Sequence, residues 1–372
     1  MKKKWEFYEA DEAKICEISD KFNISKLLAR IIVNRGITKN EDVEVFLNPT
    51  REDFYDPFLM PDMGKTVERI IKAIETKEKV IIYGDYDVDG ITSITVLKKY
   101  LEERGLNVDY YIPNRLEEGY GLNKEAISGI IDKKYTLVIT VDCGISAIEE
   151  VEMCNNKGID VIVTDHHEQL DKIPNAYAVV DCKRKDNNYP FRELCGAGVV
   201  FKLIQAISIK LNLDAKEYLK YLDIVCIGTI SDIVPLISEN RVIAKLGLKL
   251  IAQTKNIGLK MLIQESGYRK IDSGMISFGI APRINACGRM GYQEEALKLF
   301  LTSNIEEARE ITADLNKYNY QRQEKEKEIY IQAIKTLEGK NIKNLNSIVL
   351  AGENWHHRCN RDSCIKAHRT IF

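Results

Sequence analysis

The chain has 372 residues and a formal net charge of −2, long enough for two lobes and a sizeable core, since domains run to roughly 100–200 residues. A pI near 6.3 excludes a molecule that binds polyanions with its whole surface, so any nucleic-acid contact must be local. Met1-Lys2-Lys3-Lys4 runs into Trp5-Glu6-Phe7-Tyr8 rather than an apolar leader, and no apolar run approaches the ~18 residues of a membrane span, so we expect a cytoplasmic protein without membrane contact.

Residues 1–62 read as a helical lead, with amphipathic stretches at 25–32 and 40–47. A helix from Met63 leads into an apolar strand at 80–84. Strands at 108–113, 137–141, 160–163 and 176–180 then alternate with helices at 91–103, 123–133 and 145–156. Such alternation predicts an α/β fold over 63–238, a mainly parallel sheet with helices on both faces. Gly196-Ala197-Gly198 opens an apolar helix whose first N–H groups either meet a phosphate or pack closely. A second apolar helix at 221–235 carries one acid near its end, Asp232. Residues 239–303 turn helical, and 304–338 read as one long charged connector helix. The nine cysteines lie mostly in apolar or strand-end settings and read as reduced core thiols.

The chemistry concentrates where strands end. The strand at 80–84 delivers Asp85, Asp87 and Asp89 at alternate positions before Gly90. One such aspartate reads as a helix cap, but three together repel one another unless a cation sits among them. The strand at 137–141 runs into Asp142, and the strand at 160–163 into Asp165-His166-His167. Ligands of open α/β sheets gather at the carboxyl ends of strands, so Asp85, Asp87, Asp89, Asp142, Asp165, His166, His167 and the semi-buried Asp232 are candidates for one divalent-metal site. Arg283, Asn285 and Arg289 lie in a Pro- and Gly-punctuated loop at 281–289 without a carboxylate, and the arginine fork fits phosphate.

In this order the acids and histidines resemble the four motifs of the DHH phosphoesterase family. Tyr-Gly-Asp-Tyr-Asp-Val-Asp-Gly-Ile-Thr-Ser at 83–93, Pro-Asn-Arg-Leu-Glu-Glu-Gly-Tyr-Gly-Leu at 113–122, Thr-Val-Asp-Cys-Gly-Ile at 140–145, Ser-Asp-Ile-Val-Pro-Leu at 231–236 and the 281–289 loop are similar to its RecJ-type single-strand-DNA exonucleases. The resemblance implies a 5′→3′ exonuclease of recombination and repair that uses two Mn²⁺ or Mg²⁺ ions. It places Asp87 on one metal and Asp89 on the other, with Asp142 bridging, His166 and Asp232 completing the second, and His167 with Asp165 facing the scissile phosphate. Many members carry histidine where this chain has Tyr83, so water or Asp85 takes that ligand's place. Arg115, Arg283, Asn285 and Arg289 are the expected substrate contacts, Tyr120 a stacking surface, and a single-strand-binding protein and a helicase the implied partners. Two cations about 3.5–4 Å apart suit phosphodiester hydrolysis, and oxygen ligands with an imidazole suit Mn²⁺ or Mg²⁺.

Residues 339–357 resemble the opening of the family's DHH-associated domain, and from Arg358 the likeness stops. The tail at 358–366 has no periodicity and reads as a shifted frame: AGG TGT AAT AGG GAT TCT TGC ATC AAA encodes it, and one base later the same letters give Gly-Val-Ile-Gly-Ile-Leu-Ala-Ser. The alternative for its Cys and His residues is a zinc knuckle. On this reading 339–372 is a truncated domain and strand cleavage is impaired. Competing functions are a DHH phosphodiesterase for oligoribonucleotides or cyclic dinucleotides, a pyrophosphatase, and a non-catalytic remnant that binds metal or single-stranded DNA.

Overall fold

The computed structural model describes residues 6, 8–114, 118–337, 347–353 and 355. Helices α1 (Glu12–Phe22), α2 (Lys26–Asn34) and α3 (Asn40–Leu47) close on a small core of their own, Ile15, Ile18, Ala29, Ile32, Val43 and Phe46. Helix α4 (Met63–Thr76) then leads into the sheet. Its strands are β1 (Val80–Gly84), β2 (Val108–Tyr111), β3 (Leu137–Val141), β4 (Asp160–Asp165) and β5 (Ala178–Asp181), in the order β2-β1-β3-β4-β5. All four pairings are parallel.

Both faces of the sheet are buried, which is why its strands read as continuous apolar runs rather than alternating ones. Val80, Ile82, Ile139, Val141, Ile162 and Val180 pack into the main core, which includes α4, α5 (Val88–Glu102) and α8 (Gly196–Lys210). Ile81, Tyr83, Val138, Val161, Val163 and Val179 face the other way, toward α6 (Lys124–Asp132) and α7 (Ile148–Asn155). The chain steps from β1 outward to β2 and returns on the other side as β3. The carboxyl ends of β1 and β3 therefore flank a topological switch point, the crevice where open α/β sheets bind ligands.

Helices α9 (Lys216–Leu219), α10 (Leu222–Ser231), α11 (Ser238–Ile251), α12 (Ile257–Ser266), α13 (Ala281–Met290), α14 (Gln293–Leu301) and α15 (Ile305–Leu337) complete the fold. A fully buried pair, Lys202 on α8 and Glu239 on α11, meets at 2.8 Å. The lysine also donates to the Tyr55 carbonyl, and the Tyr189 hydroxyl donates to the glutamate. This network satisfies both charges and pins the segment before α4 to the core.

Three local expectations change. Helix α5 begins at Val88, not 91, because the Asp87 side chain accepts from the Asp89 and Gly90 N–H groups and caps it. The stretch 281–289 is helical. Pro282 sits in the first turn of α13, where its missing N–H is tolerated, and the preceding turn, Met275–Ile280, is a π-helix. Its wider ring makes room for a proline that an α-turn would exclude. The connector α15 is not solvated along its first half, since Ala308, Ile311 and Leu315 enter the main core. Among the described residues all seven cysteines are free, and no helix is long and apolar enough to cross a membrane. Arg115 and the tail after His357 lie outside the described residues.

Candidate metal centre

Four elements and the loop carrying Tyr120 converge on a cavity of about 180 Å³ lined by Asp85, Tyr86, Asp87, Tyr120, Asp142, His166, His167 and Asp232. Asp85 and Asp87 leave β1, Asp142 leaves β3, His166 and His167 leave β4, and Asp232 caps the C-terminus of α10. Gly90 is required here: a Cβ at this position would lie 2.3 Å from the Asp85 carbonyl oxygen. Asp142 has φ +59°, a left-handed conformation that aspartate tolerates better than most residues and that turns the chain sharply at the strand's end. Gly196 makes room for it, since a Cβ there would sit 2.7 Å from Asp142 Oδ1.

Donor atoms of three residue groups lie within 4.8 Å of one another: Asp85 with Asp87 and Asp142, Asp142 with His166 and His167, and Asp89 with His166 and Asp232. Asp142 and His166 each belong to two of them. His166 Nε2 is 3.0 Å from Asp142 Oδ1, 3.7 Å from Asp89 and 3.9 Å from Asp232. The cavity at the outer edge of β2, lined by Lys98, Tyr110, Tyr135 and others, is larger at about 710 Å³ but gathers no such cluster.

The electrostatics mark a site that wants cations. Burial, then the charges of Asp89, Asp87 and Asp85, hold the Asp142 carboxyl well above its ordinary range. Burial and Asp89 likewise raise Asp87, and burial with Asp89 and Asp87 pushes Asp232 up to about 7. Burial lowers His166, favouring the neutral imidazole that ligates metals. Asp165 differs. Burial works to raise it, but its bonds to His167 and to the Ile145 N–H bring it net below the usual value. In turn its 2.7 Å bond to His167 Nδ1 raises that histidine. Oxygen donors with one buried neutral imidazole fit Mn²⁺ or Mg²⁺, and carboxylates this reluctant to ionise together explain why the residues fit a cation.

The remaining predicted residues are placed less simply. Asp89 accepts from the Gly196 and Ala197 N–H groups at 2.6 and 2.9 Å, so the start of α8 is filled by a carboxylate rather than open to phosphate. Asn285 Oδ1 accepts from the Val88 N–H at 3.3 Å, holding α13 against the start of α5. Arg283 is tied to Asn316, Gly279 and Glu265. Arg289 does have a carboxylate partner, the buried Glu326 at 3.4 Å, contributed by the distant helix α15. The Tyr120 hydroxyl lies 3.3 Å from His167 Nε2 and 3.4 Å from the Asp142 carbonyl. Asp181 was missed: it ends β5 in register with Asp165, and burial pushes it up to about 7. Its signal was the same strand-end position that exposed Asp142.

Tyr83 faces the second core and is fully buried. Its hydroxyl donates to the Gly121 carbonyl at 3.0 Å and its ring stacks on Tyr111, so it braces the loop carrying Tyr120 from below. Tyr83→Phe is expected to cost about 1 kcal/mol of stability in urea unfolding and to leave Mn²⁺ affinity unchanged. A fall in affinity on titration would make Tyr83 a ligand after all.

A switch-point sheet that aims buried carboxylates and a histidine pair at one cavity defines an α/β fold with a candidate divalent-metal centre. Residues 79–229 match the model of the DHH family, N-terminal domain. The chain belongs to the DHH family, on its RecJ branch. It is 39% identical over 357 residues to the single-stranded-DNA-specific exonuclease RecJ of Bacillus subtilis, a match covering 95% of this chain and 44% of that protein. A crystal structure of exonuclease RecJ bound to manganese is 31% identical with a TM-score of 0.76, over 84% of this chain and 78% of that one. RecJ of Thermus thermophilus in complex with Mn²⁺ gives a TM-score of 0.83 at 28% identity, over 96% and 51% of the two chains. The chain thus spans about half the length of the curated RecJ proteins it matches.

Proposed function

We propose that the chain is the catalytic part of a metal-dependent 5′→3′ exonuclease that hydrolyses phosphodiester bonds of single-stranded DNA in recombination and repair. The observation that carries this is the double membership of Asp142, whose carboxylate belongs both to the group with Asp85 and Asp87 and to the group with His166. That arrangement supports two cations, Mn²⁺ or Mg²⁺. One position draws on Asp85, Asp87 and Asp142, the other on Asp89, His166 and Asp232 together with Asp142. Bound there, the ions lower the pKa of an attacking water and neutralise the leaving oxygen.

The chain's own residues do the rest. Asp89 orders the start of α8 from beneath the cluster, and the bond from Asp165 to His167 Nδ1 raises that histidine and turns its Nε2 edge toward where a phosphate oxygen would bind. The exposed Tyr120 ring offers a base a stacking face. Residues 63–303 form the catalytic lobe and 304–338 the connector, with Arg115 the proposed strand contact and Arg289 a further one only on release from Glu326. The cytoplasm, where a single-strand-binding protein and a helicase would share the strand, is the corresponding location. The test is a 3′-labelled, 5′-phosphorylated single strand with Mn²⁺. Stepwise shortening from the 5′ end, slowed in keeping with the truncation reading, is expected. Turnover of cyclic dinucleotides or short oligoribonucleotides, with the DNA strand left intact, would overturn the proposal.

A further inference from the structure

A phosphodiester brings its own negative charge to a centre lined by carboxylates, and charge grows further as the bond breaks, so a cationic side chain close by would stabilise it. Of the arginines predicted for that work, the two among the described residues already hold protein partners, as does Arg184 after β5. Arg283 is bonded within the helical region, Arg289 meets Glu326, and Arg184 is clamped between Asp186 and Asp62 at 2.7 and 2.9 Å.

Lys183 is placed differently. It stands two residues beyond the Asp165–Asp181 pairing on β5, as His167 does on β4, so it belongs to the same strand-exit row as the cluster. Its N–H donates to Asp181 Oδ1 at 2.6 Å and its carbonyl accepts from Arg192 at 2.8 Å, which fixes the backbone at this point. The side chain is only 21% exposed, yet its ion pair is a loose one, 3.7 Å to Glu168, which is itself 78% exposed. Such a pair is worth little and is readily exchanged. The lysine's charge is felt by Asp232, His166 and Asp181, in keeping with its place in the strand-exit row.

We infer that Lys183 is a substrate-binding residue whose ammonium leaves Glu168 to take a non-bridging phosphate oxygen of the strand on the β5 side of the carboxylate cluster. The inference rests on the cluster being a phosphodiester-cleaving centre. Lysine suits the task as a point charge on a flexible stem.

The test measures binding and cleavage separately. Fluorescence anisotropy of a labelled single-stranded oligonucleotide in Ca²⁺ compares the chain with Lys183→Met and Lys183→Arg, and Mn²⁺ titration by calorimetry checks the metal centre in each. Expected for Lys183→Met are about tenfold weaker strand binding, a salt dependence shallower by about one counterion, recovery in Lys183→Arg, and unchanged Mn²⁺ affinity. Equal strand affinity and salt slope in the wild type and Lys183→Met would overturn the inference, as would loss of Mn²⁺ binding, which would give Lys183 a role in the metal centre instead. If the wild type binds the strand through Lys183 but fails to shorten it with Mn²⁺, the exonuclease proposal falls and this contact stands.

Discussion

Asp142→Asn is expected to lower Mn²⁺-dependent strand cleavage by on the order of 10³-fold, because metal clamping supplies several kcal/mol and each 1.36 kcal/mol is tenfold in rate. Asparagine keeps the size of the side chain and tolerates φ +59°, so the backbone turn at the end of β3 is preserved while the charge shared by two ligand groups is lost. The variant also separates a catalytic role from a structural one. The Asp142 carboxyl is held above its ordinary range by burial and by Asp89, Asp87 and Asp85, so its neutral form is the one the metal-free fold prefers. The amide resembles that form. Metal-free Asp142→Asn should therefore melt at least as high as wild type at pH 8, and Mn²⁺ should stabilise it much less. Thermal melts with EDTA and with Mn²⁺ check this. A variant that melts lower without metal, or still cuts at the wild-type rate, would show that Asp142 is a scaffold residue.

All but Asp232 of the aspartates and histidines of the cluster were legible in the sequence because they follow β-rich runs, and a parallel sheet places all its carboxyl ends at one edge; Asp232 stood out instead as the lone acid near the end of an apolar helix. The order of the strands was not legible, although it decides that Asp85 and Asp142 are neighbours across the switch point. The second role of Asp89 could not be read either. Its spacing from Asp87 suggests a metal ligand, and its donor atom does group with His166 and Asp232, but the same carboxylate also accepts from the Gly196 and Ala197 N–H groups, more than 100 residues away in sequence. Stretch 281–289 misled for a local reason. Proline and glycine ordinarily punctuate loops, whereas here a π-turn absorbs the proline and the helix continues. The arginines in that stretch seemed unpaired for the same reason that Asp89 seemed free: Glu326 reaches Arg289 from a helix that the local pattern marks as solvated. Lys183 carried no motif at all, because what distinguishes it is its loose partner, a property of the fold.

Raising the pH from 5 to 8 is expected to widen the gap in melting temperature between the Mn²⁺-loaded and metal-free chain. In the metal-free protein burial and mutual repulsion raise Asp142, Asp87 and Asp232, the last to about 7, against roughly 3.9 for an unfolded aspartate. Between those values the folded chain binds protons that the unfolded chain has released, so the slope of stability with pH is negative. Their contribution is full below about pH 3.9 and is lost as the pH rises through the folded pKa values. His167, raised mainly by its bond to Asp165, adds to the same decline at higher pH. His166 is lowered by burial and opposes it, as does Asp165, whose lowered pKa costs stability only under stronger acid. Cations compete with protons for the same oxygens, so apparent Mn²⁺ affinity should climb about tenfold or more per pH unit across pH 5 to 7. The melting gap should open by several degrees, each kcal/mol being worth about 2–4 °C in a domain of 150–250 residues. Calorimetric Mn²⁺ titrations and paired melts at four pH values measure both. A flat Mn²⁺ affinity over this range would mean that the ion does not displace protons from these carboxylates, and the cluster would then owe its raised pKa values to burial without being the metal's binding place.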